Sequence, residues 1–142
     1  MTEHRKQPQG TVPWFEMVGA EMSRAASRSG LSPDLTVSLV ERYSDGTELG
    51  EGLVQGLRFD IVAGKPSFRV GVRPDERGDV TIVVTAAAAR RLNALYGGDP
   101  TYPAARAAFL ASGAMRVDGD PSRLGGWLET VHDPIVDRTS QP

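Results

Sequence analysis

The chain has 142 residues, with 16 Lys and Arg against 18 Asp and Glu, a formal net charge of −2 and no cysteine. That length fits one domain able to bury a real core, and the balanced charge gives no global attraction to nucleic acid or to an anionic membrane. Without cysteine, disulfides, thiolate zinc sites and thiol nucleophiles are excluded.

Residues 1–12 are polar and unpatterned and are expected to form a mobile tail; they lack the apolar core of a signal peptide. No segment reaches the ~20 apolar residues of a membrane span, and Thr139-Ser140-Gln141-Pro142 is not a peroxisomal address, so a cytoplasmic protein is expected. From Pro13 the pattern becomes helical. Trp14, Val18, Met22 and Ala25 recur on one face, Pro13 suits a first turn and Gly30 an end, which predicts an amphipathic helix of roughly four turns.

After a turn at Leu31-Ser32-Pro33-Asp34, Leu35, Val37, Leu39 and Tyr43 alternate with Thr36, Ser38 and Arg42, predicting a first strand. Gly50, Gly52 and Gly56 around Leu53-Val54 suit a short edge strand or a loop. Leu57, Phe59 and Ile61, then Phe68, Val70 and Val72, then Val80, Ile82 and Val84 follow period two. With turns at Gly64-Lys65-Pro66 and from Arg73 to Gly78 they predict an antiparallel meander with one apolar face.

Beyond Thr85, a helix N-cap, the period becomes 3.6 and predicts a helix from Ala86 to Tyr96. A second helix is expected from about Pro103 to Ser112 with Ala105, Ala108 and Phe109 inward, then a strand from Ala114 to Asp118. Asp120-Pro121 announces a last helix with Leu124, Trp127, Leu128 and Val131 as its stripe, ended by Pro134, and residues 135–142 are expected as a tail. The fold class is therefore α+β, a mainly antiparallel five-stranded sheet with helices covering one face, in a single domain over residues 13–134.

Catalytic company is sparse. His4 falls in the tail, and His132, near the end of the last predicted helix, is explained by a helix C-terminus without a nucleophile beside it. Asp75-Glu76 suits a turn, and Asp118 with Asp120 suits a strand end and a cap better than a metal site. The glycines from Gly50 to Gly56 miss the dinucleotide spacing, Lys65 is followed by Pro66 instead of Ser or Thr, and the aromatics make no stacking platform. An isomerase or hydrolase is weakened by the missing acid/base cluster. The alanine-rich helices, Ala86 to Ala89 and Ala104 to Ala111, supply little volume; they leave either a closely packed core or room for a guest.

The segments Gly56-Leu57-Arg58-Phe59, Gly64-Lys65-Pro66-Ser67-Phe68-Arg69-Val70-Gly71, Asp79-Val80-Thr81-Ile82, Phe109-Leu110 and Gly113-Ala114-Met115-Arg116-Val117-Asp118-Gly119-Asp120 resemble the sterol carrier protein 2 (SCP-2) domain family. The resemblance spans roughly residues 35–131. It implies a five-stranded sheet under helices, with a hydrophobic tunnel between the layers for a fatty acyl chain, acyl-CoA or sterol, and a non-enzymatic lipid carrier that needs no cofactor or metal. Under it, Phe68, Val70, Ile82, Val84, Leu95, Phe109, Met115 and Trp127 are the expected ligand-binding walls and Gly97 to Pro103 the expected gate, with transient membrane contact and a homodimer as further expectations. The alternative is a partner-binding or regulatory module with a filled core, acting through the Trp14-Phe15 helix or a sheet edge.

Overall fold

The computed structural model describes residues 5–140. The expected tail at 1–12 thus lies partly outside the described residues, as do His4 and the last two positions of the expected 135–142 tail. The described chain runs β1 (Gln7–Pro8), α1 (Val12–Arg28), β2 (Val37–Tyr43), β3 (Glu48–Gly50), β4 (Leu53–Val62), β5 (Lys65–Val72), β6 (Val80–Val84), α2 (Ala86–Leu92), α3 (Thr101–Ser112), β7 (Met115–Asp118), α4 (His132–Asp137) and β8 (Thr139–Ser140). Two 3-10 turns, Pro121–Leu124 and Gly126–Thr130, lie between β7 and α4. No described helix is long and apolar enough to cross a membrane.

The fold is α+β as expected, but its sheet is mixed and six-stranded. β5 pairs with β4, β4 with β2, β2 with β6 and β6 with β7, while short β3 also pairs with β4. The β4–β5 hairpin turns on Ala63 and Gly64, both left-handed at φ 50° and 75°, the geometry that matches strand twist in a two-residue turn. The expected meander stops there, because β6 does not pair with β5. It crosses to the free edge of β2 and lies parallel to it, Leu39 opposite Val80 and Tyr43 opposite Val84.

The reason lies in β6 itself. Val80, Thr81, Val83 and Val84 are all buried, so this strand is covered on both faces and belongs in the middle of the sheet. Alternation identifies the inner face of a strand but not its neighbour.

Residues 73–79 cross the outer face and are held there by Glu76. Its carboxylate accepts from Arg58 Nη1 at 3.1 Å, from the Arg73 backbone N–H at 3.0 Å and from Arg69, and its carbonyl accepts from Arg42 Nε at 3.3 Å. Partial burial pushes the Glu76 carboxyl upward, but these bonds outweigh it and hold the group below its ordinary value.

The inner face is covered chiefly by α1, which buries Trp14, Phe15, Val18, Met22, Ala25 and Ala26. Thr11 caps it, accepting from Trp14 N at 3.2 Å. The helix comes so close to β5 that a Cβ on Gly19 would sit 2.3 Å from the Phe68 ring. The alanine-rich helices contribute less than the sequence suggests. α3 buries no residue completely, Ala108 is exposed, and α2 ends at Leu92, passing into tight turns before Tyr96.

The last expected helix also divides. Asp120 caps as expected, accepting from Ser122 N at 3.0 Å, but Gly125 at φ 115° breaks the helix after one 3-10 turn. Pro134 then lies in the first turn of α4 instead of ending a helix, and His132 opens α4, so a helix C-terminus does not explain it. Residues 135–140, expected as a tail, bury Ile135, Val136 and Thr139 and pair β8 with β1.

Two outcomes follow from these contacts. Gly19→Val should cost about 1–3 kcal/mol by forcing α1 off β5, read as a lowered urea midpoint at unchanged slope. Glu76→Gln should cost about 1.5–3 kcal/mol at neutral pH. Because the carboxyl is held low in the folded state, its contribution is present above the unfolded value and lost as pH falls through the folded one, so the gap to the parent should close on acidification.

Candidate functional site: a cavity built around Glu41

The inner face of the sheet is a set of rows fixed by strand register. One row runs Val70, Leu57, Glu41, Ile82 and Val117 across β5, β4, β2, β6 and β7. Four of its members are apolar. The fifth is a carboxylate, in the same parity as Val37, Leu39 and Tyr43 of its own strand.

Around Glu41 the layers do not close. A cavity of about 710 Å³ lies between sheet and cover, a volume typical of small-molecule sites. Trp14, Val18 and Met22 of α1 form one wall, with Glu41, Ile82 and Met115 from the sheet opposite. The rim is made by exposed Gly97, Gly98, Arg106, Glu129 and Asp133, with half-buried Tyr102 and His132 beside them. A second chamber of about 70 Å³ adjoins it and shares Trp14, Val18, Glu41 and Asn93 with the first.

Glu41 keeps some accessible surface, yet enclosure by the fold pushes its carboxyl up from the ordinary 4.5. The two facts agree if that surface faces the cavity and not bulk water. No described residue donates a hydrogen bond or forms an ion pair with this carboxylate. Nearby, burial pushes the Tyr43 phenol to about 12, with the charge of Glu41 adding to the effect. Burial likewise raises Tyr102, with Arg106 opposing and Glu41 adding.

The rim is fastened to α4 by three bonds, one of them from Tyr96 OH to Asp137 Oδ1 at 2.6 Å. His132 Nε2 donates to Leu95 O at 2.7 Å, which leaves Nδ1 as the second ring nitrogen, and the Tyr102 ring lies on the imidazole at 4.3 Å. Asp133 Oδ1 accepts from Gly97 N at 2.8 Å. The segment expected as a gate is thus part of the rim and is tied to α4. Among the described residues no three His, Asp or Glu side chains gather as a metal site would require.

Of the expected wall residues, Ile82 and Met115 line the large cavity and Val84 the small chamber. Leu95 and Trp127 are buried outside the lining. The Trp127 indole packs on Phe59 at 5.4 Å and donates to Leu124 O at 2.7 Å. Val70 and Phe109 are half-buried against the core, and Phe68 is 36% exposed against Gly19. The sequence alternation that named Val37, Leu39 and Tyr43 passed over Glu41, although its parity alone places it inward.

Replacing Glu41 by Gln tests the enclosure. A carboxyl whose folded value is raised keeps its proton in the folded state at a pH where the unfolded chain has released it, so parent stability should fall as pH rises above about 4.5. Glu41→Gln should lack that slope and be the more stable protein at mildly alkaline pH, with the difference vanishing on acidification; denaturant titrations across pH read this directly.

No protein-family model matches the sequence, and no curated protein matches it either. Solved structures do. The crystal structure of sterol carrier protein 2 superposes with a TM-score of 0.57 at 11% identity, covering 93% of this chain and 99% of that one. The solution structure of the conserved hypothetical protein TT1886 of Thermus thermophilus, described there as a candidate sterol carrier protein, gives 0.53 at 12% identity over 97% and 94%. The chain has the sterol carrier protein 2 fold.

Proposed function

We propose that this protein is a non-enzymatic, cytoplasmic carrier or binding protein for a hydrophobic small molecule of the fatty acyl, acyl-CoA or sterol type. The observation that carries the proposal is the cavity of about 710 Å³ between α1 and the sheet, walled by Trp14, Val18, Met22, Ile82 and Met115. The fold shared with sterol carrier protein 2 supports it. Each methylene removed from water contributes about 0.8 kcal/mol, so an acyl chain of about sixteen carbons gains on the order of 10 kcal/mol gross. The partner-binding alternative assumes a filled core, and the void beside Glu41 favours the carrier. Loading through transient membrane contact and assembly as a homodimer belong to the same proposal.

Protein purified without denaturant should yield bound lipid by native mass spectrometry and solvent extraction, and a fluorescent acyl probe should bind at about one per chain. Ile82→Trp, which projects an indole into the cavity beside Glu41, should weaken probe binding by roughly tenfold or more while unfolding stays cooperative. Recovery of no lipid together with no probe binding would abandon the carrier reading.

A further inference from the structure

Resting on the carrier reading, we propose that the ligand is an amphiphile whose buried end is a hydrogen-bond donor, a hydroxyl or an amine, held by the Glu41 carboxylate, and that acid-ended lipids are selected against. Glu41 stands at the centre of the inner row between Leu57 and Ile82 and lines both chambers. Register fixes it there: Val37, Leu39 and Tyr43 on the same face are buried, so the side chain cannot turn to the outer surface without inverting the strand.

A carboxylate in such a place accepts hydrogen bonds and donates none when ionised, and no described residue supplies one. An unpaired carboxylate away from water is costly, and a donor on the guest removes most of that cost. A guest carboxylate brings a second acceptor of like charge into the same enclosure and is disfavoured. The α1 side of the wall offers Val18 and Met22, which do not donate to such a head group, and Trp14, whose indole N–H is given to Thr139 Oγ1 at 2.9 Å. Arg106 also lines the cavity but is exposed, among rim residues that include Glu129 and Asp133, so it marks where a group left at the rim would sit.

The experiment compares dodecanol, dodecylamine and dodecanoate below their aggregation limits, each displacing the same neutral fluorescent probe from the full chain at mildly alkaline pH, which favours the ionised Glu41 carboxyl. The parent should bind the alcohol or the amine at least about tenfold more tightly than the acid. The two donor arms separate a hydroxyl site from an ammonium site. Glu41→Leu should bring all three within about threefold of one another. Glu41→Gln, which keeps an acceptor but no charge, should retain alcohol binding and lose any amine advantage. Thermal melts of both variants verify the fold. If dodecanoate binds as well as the donors in the parent, or if the preference survives Glu41→Leu, the head-group assignment is overturned while the carrier reading stands. If none of the three binds and the probe does not bind either, both fall together.

Discussion

Strand β2 is hydrogen-bonded on both edges, antiparallel to β4 and parallel to β6, and this double pairing fixes where one carboxylate must go. Glu41 is opposite Leu57 on one side and Ile82 on the other. A one-residue slip would move it outward, but it would also turn Ser38 and Arg42 toward the core and expose Val37, Leu39 and Tyr43. The inward position is therefore the lesser penalty. A tightly packed apolar layer over an ionisable group would leave it with neither water nor partner. The cavity between α1 and the sheet is compatible with that group where a filled core is not.

The roof of the cavity is anchored unevenly. Along one side α1 sits on β5 at the Gly19–Phe68 contact. Along the other it is tied to the chain's end: Trp14 Nε1 donates to Thr139 Oγ1 at 2.9 Å, Thr139 Oγ1 donates to Ile135 O at 2.7 Å, and Gln7 N donates to Arg138 O at 2.8 Å. Arg138 also reaches Glu21 of α1 at 3.4 Å. The third side, from Gly97 to Arg106, has no comparable buried anchorage. It is held by the Gly97–Asp133, Leu95–His132 and exposed Tyr96–Asp137 bonds, and α3 behind it buries no residue completely. Local opening draws on the least buried elements, and this side of the cover is the least anchored.

Periodicity and capping chemistry were legible because they are local. The parities of Leu57, Phe59 and Ile61 and of Val80, Ile82 and Val84, the Thr85 cap of α2 and the Asp120 cap stand in the structure as the residues suggest, whereas the bulge between β4 and β5 turns Val72 to the outer face beside Gly56 and Arg42. What failed was non-local or rested on volume. Alternation cannot say that β6 pairs with β2, because that choice depends on which edge is free after β4 has taken β2 and β5. The alanine-rich helices looked like the main cover, yet their small side chains leave them peripheral to α1, whose Trp14, Phe15 and Met22 supply the bulk. Gly125 breaks the apolar stripe because its positive φ with an extended ψ, at 115° and 164°, cannot continue a helix whatever its neighbours prefer. Glu41 escaped notice because a charged residue inside an apolar alternation reads as an interruption, when parity makes it a member.

For a carrier, the apolar walls and the polar group divide the thermodynamic work unequally. Walls such as Val18, Met22, Ile82 and Met115 remove methylenes from water, but a bilayer does so equally well, so on exchange with a membrane this large term nearly cancels. A lipid's head group is different. At the bilayer surface it is hydrated, whereas beside Glu41 it meets an enclosed carboxylate with no other described partner. The difference between the two environments is concentrated at that one end of the ligand. On the proposed carrier function, gross affinity resides in the many apolar contacts, and selection among ligands of equal length in a single side chain.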